Sequence, residues 1–139
     1  MHKQIQIVPT KNILILVDWY EPGFKAGGPI QSCRHLIMAL PALFPITVLT
    51  SDRDIGDVHT YPGIPPNRWI IRDPGIYVYY AKRESINSIL LEDTIGASQP
   101  DFIYLNSMYS FRFTILPMFM LWKKKIRAQI IMAPRGMLQ

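Results

Sequence analysis

A run of five aliphatic residues, Ile13 to Val17, followed by a glycine-rich loop, is the feature that most restricts the fold of this chain. The run is too short for a typical helix and is wholly apolar, which is typical of a strand buried on both faces of a parallel sheet. Pro29 suits the first position of a helix, where its missing N–H would have no partner anyway. Apolar residues then recur at helical spacing, at Ile30, Cys33, Ile37 and Leu40. We therefore predict a strand, a loop and a helix in that order.

The loop places Gly27 and Gly28 at the predicted N-terminus of this helix. Backbone N–H groups and the positive end of the helix dipole favour an anion such as phosphate at that position. Two glycines also permit a tight turn and close packing without any ligand, so the pattern alone leaves both interpretations open. A P-loop is excluded, because Pro29 and Ile30 stand where lysine and a hydroxyl residue are needed. The dinucleotide fingerprint is also incomplete, although Asp52 stands where its ribose-binding carboxylate would be expected.

Four further apolar runs predict strands, at Ile46 to Thr50, Ile76 to Tyr80, Phe102 to Leu105 and Gln129 to Ala133. Helices are predicted at Glu84 to Ile95, with Ser85 as its cap, and from a Ser110 cap to about Lys125. The segment Ser51 to Gly75 is rich in charged residues, proline and glycine, which predicts a long loop. Alternating strands and helices are typical of right-handed βαβ units. We therefore predict an α/β fold, one Rossmann-like domain over residues 1–139, with an open parallel sheet of order 3-2-1-4-5 and helices on both faces.

The predicted strand order also predicts a site. In open parallel sheets, ligands bind outside the carboxyl ends of the strands where the strand order reverses, here between the first and fourth strands. The candidate phosphate-binding or substrate-binding residues at this point are Lys25, Gly27, Gly28, Asn106, Ser107 and Arg135. Lys25 has the alternative role of a solvated loop lysine, and Arg135 that of an ion-pair partner for Asp18 or Asp52. Ser110 either binds a hydroxyl group of the ligand or only caps its helix.

Composition restricts the partners and the compartment. Fifteen Lys and Arg against ten Asp and Glu give a charge of +5, which suits an anionic substrate, nucleic acid or an acidic lipid surface without choosing among them. The densest basic cluster, Lys123 to Lys125, is too short to predict nucleic-acid binding. The three histidines lie far apart, so no metal site is predicted. A single cysteine excludes an intrachain disulfide and, with no signal-like N-terminus or apolar run of spanning length, favours the cytoplasm.

Short motifs stand at the ends of the predicted strands. They are Val17-Asp18-Trp19-Tyr20, Pro22 to Pro29, Thr50 to Asp54, Tyr61 to Ile64 with Asn67 and Trp69, Leu105-Asn106-Ser107, and Ala133 to Leu138. Their order and placement resemble the N-terminal domain of bacterial glycosyltransferase family 4 enzymes, which have the GT-B fold, over nearly the whole chain. The resemblance implies a sugar transferase of polysaccharide or surface-glycan assembly that uses a nucleotide-sugar donor and no cofactor. In that family the domain carries the acceptor site, and its first glycine-rich loop approaches the donor diphosphate.

The resemblance also implies that the donor domain, with its paired-glutamate motif, is missing from this chain. We therefore expect weak donor binding and no turnover by the chain alone. Candidate contacts to a glycan or lipid-linked acceptor are Asp52, Arg53 and Trp69. Alternatively, Asp52 only stabilises a turn through its side chain, and Trp69 is only a core residue. A non-catalytic, Rossmann-type nucleotide- or phosphate-binding module remains the alternative function.

The third predicted helix has two interpretations. Phe111 to Trp122 is apolar nearly all round and is followed by three lysines. In the first interpretation the helix is buried between the sheet and a further element, such as a missing domain or a second copy of the chain. In the second it rests on an anionic membrane surface. The sequence predicts burial more strongly, and keeps homo-oligomerisation and peripheral membrane contact open.

Overall fold

The structure is a computed structural model that describes residues 11–40, 44–107 and 110–133. Its strands are β1 (Ile13–Leu16), β2 (Ile46–Ser51), β3 (Trp69–Asp73), β4 (Ile76–Ala81), β5 (Phe102–Leu105) and β6 (Gln129–Met132). Its α-helices are α1 (Gly28–Ala39), α2 (Ser88–Ser98) and α3 (Leu116–Lys124). A 3-10 turn, Arg83–Ser85, precedes α2, and a π-helical turn, Phe111–Ile115, leads into α3.

The strands form one six-stranded sheet of order β3-β4-β2-β1-β5-β6. Every neighbouring pair is parallel except β3 and β4, which are antiparallel. The predicted α/β class with a mostly parallel sheet is therefore confirmed. The predicted order 3-2-1-4-5 is wrong for the sheet as a whole, because it assumes five parallel strands and leaves out the antiparallel strand at the edge. The five strands that were predicted do stand in that relative order. The five predicted strands correspond to β1, β2, β4, β5 and β6.

The missed strand, β3, lies within the segment predicted as a long loop. It forms a hairpin with β4 in which Trp69 pairs with Tyr79, and Pro74-Gly75 makes the two-residue turn. Gly75 has φ 80°, a value that favours glycine at the third position of such a turn. β3 lies at the edge of the sheet, and four of its five residues are exposed. Its residues therefore lack the alternation of apolar and polar side chains that indicates a half-buried strand.

The core lies on both faces of the sheet. Ile13 and Ile15 of β1 point to one face, which α1 covers with Cys33 and Ile37. Leu14 and Leu16 point to the other face, where Leu91 and Ile95 of α2 and Met120 and Leu121 of α3 pack. Successive strand residues point to opposite faces, so a wholly apolar strand such as β1 is buried from both sides.

The helix ends follow local capping chemistry, with two corrections. The predicted start of the second helix at Glu84 is wrong, because the Asn87 side chain caps α2 by accepting a 3.0 Å hydrogen bond from the Leu90 N–H. The helix also continues past Gly96 to Ser98. Ser110 does act as a cap, and its hydroxyl accepts from the Phe113 N–H at 3.2 Å. The first turn it caps is π-helical rather than α-helical, and Pro117 then lies in the first turn of α3.

Candidate functional site

The N-terminus of α1 lies at the carboxyl end of β1 and is the centre of the candidate site. Gly27 is the N-cap residue with φ 64°, a conformation that favours glycine, and its carbonyl accepts the first helical hydrogen bond from Gln31 at 3.1 Å. Among the described residues, no side chain makes a capping hydrogen bond at this end, and no acidic residue lies in the first turn. A Cβ added at Gly28 would meet no atom of residues 11–40, 44–107 and 110–133 within 4 Å, so these residues leave the space in front of Gly28 open. The helix therefore presents its first backbone N–H groups without a side-chain partner.

Asn106 joins this helix end to β5. Its side-chain amide donates to the Pro29 carbonyl at 3.1 Å, and its backbone N–H donates to the Leu16 carbonyl at 3.4 Å. The residue is buried, and its Oδ1 accepts from the Tyr104 hydroxyl at 3.3 Å. The glycine loop and the end of β5 thus lie together, as the position between the first and fourth predicted strands suggested. Ser107 follows directly, and its carbonyl accepts from the Thr114 hydroxyl.

A carboxylate from a second loop holds the glycine-rich loop in place. Asp54 is buried, and its Oδ2 accepts from the N–H groups of Phe24 and Lys25 at 2.9 and 3.1 Å. Its Oδ1 accepts from the Ile55 N–H at 2.9 Å. Burial alone would raise the pKa of Asp54, but these three hydrogen bonds to its charged form hold the pKa below its ordinary value. In the sequence Asp54 stands out only as the last residue of the Thr50 to Asp54 motif, since nothing in its spacing shows that it reaches back 30 residues.

Lys25 lies in the same loop, but its ammonium group pairs with Asp57. The hydrogen bond to that carboxylate raises the pKa of Lys25. The side chain is about half exposed, at 47%. The lysine is therefore charged and lies beside the glycine loop, with a carboxylate as its partner, and its predicted role in binding phosphate stays a prediction.

A second polar cluster joins three distant segments at the same edge of the sheet. The Asp18 carboxylate follows β1, accepts from the Ser110 hydroxyl at 3.0 Å and lies 3.7 Å from the Arg83 guanidinium. Burial raises the pKa of Asp18, and the Ser110 hydrogen bond and the Arg83 charge oppose that shift. Arg83 also lies over the Trp19 ring, 5.9 Å from its centroid. The sequence did not single out Arg83 and offered Asp18 only as an alternative ion-pair partner for Arg135, because residues 18, 83 and 110 come together only in the folded chain.

The three candidate acceptor contacts lie in two places. Asp52 is buried at the carboxyl end of β2 and pairs with the neighbouring Arg53 at 2.9 Å. Arg53 also donates to the Val58 carbonyl at 2.8 Å, so its guanidinium closes the loop that follows β2. Trp69 lies instead on the α2 face of the sheet, with its ring edge-on to Tyr79 at 5.1 Å.

Trp69 is not the core anchor that was considered as its alternative role, because 43% of it is exposed. It lines a cavity of about 400 Å³ together with Asn12, Pro45, Thr47, Tyr77, Ala97 and Ser98. Asn12 and Pro45 precede β1 and β2, so this cavity lies towards the amino ends of the strands. Trp69 therefore does not share one recess with Asp52 and Arg53.

The remaining predicted site residue, Arg135, lies outside the described residues. Within residues 11–40, 44–107 and 110–133, no group of three His, Cys, Asp or Glu side chains is placed to hold a metal ion. No helix in the same ranges has the length and apolar character needed to cross a membrane.

Comparison with protein families, with curated proteins and with solved structures finds no match to this chain. The class defined by fold and geometry alone is therefore an α/β domain with an uncapped helix N-terminus at the carboxyl edge of its sheet.

Proposed function

We propose that this domain is the acceptor-side domain of a sugar transferase and binds the diphosphate group of a nucleotide-sugar donor at the N-terminus of α1. The observation that carries the proposal is the open helix end formed by Gly27 and Gly28, which lies at the carboxyl edge of the sheet without a side-chain cap. Backbone N–H groups and the helix dipole at such a position attract anions. The strand-end motifs that resemble family 4 glycosyltransferases extend the proposal from phosphate binding to sugar transfer.

The polar groups around the helix end support a sugar ligand as well as a phosphate. Asp18 and Ser110 place a carboxylate and a hydroxyl on the same edge of the sheet, beside the side-chain amide of Asn106, which donates to the Pro29 carbonyl. A sugar hydroxyl both donates and accepts, so it suits a mixed set of carboxylate, hydroxyl and amide groups. The raised pKa of Asp18 also keeps this carboxylate closer to accepting a proton than an exposed aspartate.

Glycosyl transfer breaks the bond between the anomeric carbon and a diphosphate oxygen, and negative charge then grows on the departing diphosphate. Groups that stabilise this charge in place lower the barrier. The N–H groups at the start of α1 would supply that stabilisation from one side. Recognition of the rest of the donor is expected to need a second domain, so we expect the chain alone to bind donors weakly and to show no turnover.

Amide chemical shifts of the ¹⁵N-labelled chain, titrated separately with nucleoside diphosphates, nucleotide sugars, inorganic phosphate and NAD, test this proposal. Nucleoside diphosphates are expected to shift the amides of Gly27, Gly28 and Ile30 and the side-chain amide of Asn106. Nucleotide sugars are expected to add shifts at Asp18 or Ser110. Gly28→Ala should keep the fold, because its Cβ has open space, and should weaken the response by placing a methyl group at the helix end. Gly96→Ala is the matched control, since it also adds a methyl group in open space but lies in α2.

The possible results separate the candidates. Tighter binding of NAD than of nucleotide sugars, with shifts at Asp52, would replace the proposal with a dinucleotide-binding module. An equal response to inorganic phosphate and to nucleotide sugars, without added shifts at Asp18 or Ser110, would reduce it to a phosphate-binding module. A flat titration with every phosphate compound would refute a binding role for the start of α1.

A further inference from the structure

The outer side of the helical segment 111–124 carries a continuous apolar surface. Phe113, Met120 and Leu121 are buried on its inner side. Five large apolar side chains are exposed on the outer side, from 40% for Met118 to 77% for Trp122: Phe111, Ile115, Met118, Phe119 and Trp122. At 3.6 residues per turn, the last four of these lie within roughly 100° of arc. We call these five residues the α3 stripe. Only the inner side of the predicted apolar helix is thus buried within the chain, and a stripe of this kind indicates a surface that binds a partner.

The chain around the α3 stripe is strongly basic. Residues 1–101 contain nine Lys and Arg against ten Asp and Glu, whereas residues 102–139 contain six Lys and Arg and no Asp or Glu. Four of those six follow Trp122 closely and are exposed: Lys123, Lys124, Lys125 and Arg127. Within the part of the chain that the structure describes, only Lys124 among these four pairs with a carboxylate, that of Glu92 at 3.3 Å. The positive charge at the end of the stripe is therefore largely uncompensated.

The combination of aromatic side chains and lysines indicates which partner covers the stripe. Helices that lie in the surface of an anionic bilayer present an apolar face flanked by lysines, and tryptophan is favoured at the level of the lipid headgroups. Lysines at that level are attracted by anionic phosphates. A second copy of the chain, docked stripe to stripe, would add positive charge rather than neutralise it. The charge therefore favours an anionic lipid surface over self-association.

We propose that the α3 stripe, with Lys123 and Lys125 beside it, docks this domain on an anionic membrane surface. The proposal stands independently of the sugar-transferase function, because it requires only the exposed stripe and the local charge. It also has a consequence for the candidate site. The Ser110 hydroxyl, at the start of the helical segment, contacts Asp18 at the carboxyl edge of the sheet. The Phe111 end of the docked stripe is therefore the end nearest to that edge, and Lys123 and Lys125 lie at the other end of the helical segment.

Co-sedimentation of the full chain with vesicles tests the proposal. Vesicles of phosphatidylcholine mixed with phosphatidylglycerol are compared with vesicles of phosphatidylcholine alone. Binding is expected only or mainly to the anionic vesicles, and it should weaken as salt screens the lysines. Brominated lipids provide a second measurement, because they should quench the fluorescence of Trp122. The substitution Trp122→Phe should remove that quenching and leave the emission of Trp19 and Trp69 unaffected by the vesicles.

Two sets of variants separate the charge from the apolar contact. The double substitution Lys123→Gln/Lys125→Gln is expected to weaken anionic binding by about fivefold per lysine. Phe119→Ala/Trp122→Ala is expected to weaken it by roughly tenfold or more, because two exposed rings no longer leave water. Lys82→Gln and Met38→Ala are matched controls at exposed positions on other parts of the surface. All of these side chains are exposed, so the variants should keep the circular dichroism spectrum of the parent.

Three results would overturn the proposal. The first is the absence of binding to anionic vesicles at low salt. The second is an equal loss of binding in the control variants, which would show that the stripe has no special role. The third is a concentration-dependent dimer in gel filtration that Phe119→Ala/Trp122→Ala dissociates, in a chain that does not bind vesicles. That last result would assign the stripe to an interface between copies.

Discussion

Replacing Asp54 with asparagine tests how the glycine-rich loop is held beside α1. The carboxylate satisfies three backbone N–H groups, two from Phe24 and Lys25 through one oxygen and one from Ile55 through the other. Asparagine has a single carbonyl oxygen, so Asp54→Asn keeps the bonds on one side and turns an NH₂ group towards the N–H groups on the other. At least one charge-assisted hydrogen bond is lost, and the remaining bonds lose their ionic character.

The magnitude follows from the type and setting of these bonds. A hydrogen bond to a charged group contributes about 1.5–3 kcal/mol. Asp54 is 4% exposed, so water replaces the lost bond poorly on the carboxylate side, whereas Phe24 is 76% exposed and water can reach its backbone more easily. We therefore expect Asp54→Asn to lower the free energy of unfolding by about 2 kcal/mol. The loop would then lose its attachment, and the shifts of Gly27 and Gly28 on adding nucleoside diphosphate should also shrink.

The pH dependence of the unfolding free energy tests whether the charge of Asp54 causes its stabilising effect. The folded-state pKa of Asp54 lies below its ordinary value of 3.8, so the carboxylate binds protons less readily in the folded state than in the unfolded state. Its stabilising contribution is therefore complete above the unfolded pKa and is lost as the pH falls through the folded pKa. The difference between parent and Asp54→Asn should be constant from neutral pH to about pH 5 and should shrink below it.

Urea unfolding followed by circular dichroism, at neutral and at acidic pH, measures these differences. Asp57→Asn is the control, because it removes a loop carboxylate whose partner is the exposed Lys25, and its effect should lie within experimental error. Equal unfolding free energies for the parent and Asp54→Asn at neutral pH would refute the inference that the Asp54 carboxylate holds the glycine-rich loop in place. If the difference in unfolding free energy between the parent and Asp54→Asn is as large in acid as at neutral pH, the geometry of the hydrogen bonds rather than the charge of Asp54 explains that difference.

Two further pairs of variants test the loop and the core by the same unfolding measurement. Gly23→Ala should lower the free energy of unfolding by about 1–3 kcal/mol, because its Cβ would lie 2.4 Å from the Tyr61 hydroxyl. Gly28→Ala should change that free energy by no more than about 0.5 kcal/mol. Equal effects of the two substitutions would contradict the close approach at Gly23. Thr50→Val should stabilise the fold by about 1 kcal/mol, because this buried hydroxyl has no hydrogen-bond partner within the described ranges. Thr94→Val should destabilise it by about 0.5–1 kcal/mol, since that hydroxyl donates to the Leu90 carbonyl at 2.8 Å; changes of the same sign would refute the distinction.

Much of the fold follows from local patterns that can be recognised without the structure. The aliphatic run of β1, the proline at the start of α1 and the spacing of Ile30, Cys33 and Ile37 predicted a strand and a helix that the structure contains. The edge strand β3 was missed, because an edge strand buries few side chains and so lacks a periodic apolar pattern. The Pro74-Gly75 turn after Trp69 and Ile70 was the one signal that could have indicated its hairpin.

One part of the candidate site could be predicted from the sequence and another part could not. The proximity of the glycine loop to Asn106 follows from the general rule for parallel sheets, which needs only the order of the central strands. The hydrogen bond between Asp54 and Phe24 joins residues that are 30 positions apart in the sequence. The hydrogen bond between Asp18 and Ser110 joins residues that are 92 positions apart. No local spacing predicts contacts of that kind, because they depend on how separate loops meet over the sheet.

The sequence by itself thus determined the strands buried in the sheet, the start of α1 and the edge of the sheet at which a ligand is expected. These features depend on side-chain periodicity and backbone constraints within a few consecutive residues. Only the tertiary structure decided which carboxylate holds the glycine loop, where Trp69 lies, and which side of α3 remains exposed. Those outcomes depend on the packing of distant segments, since a side chain is buried or paired according to what the rest of the chain brings next to it.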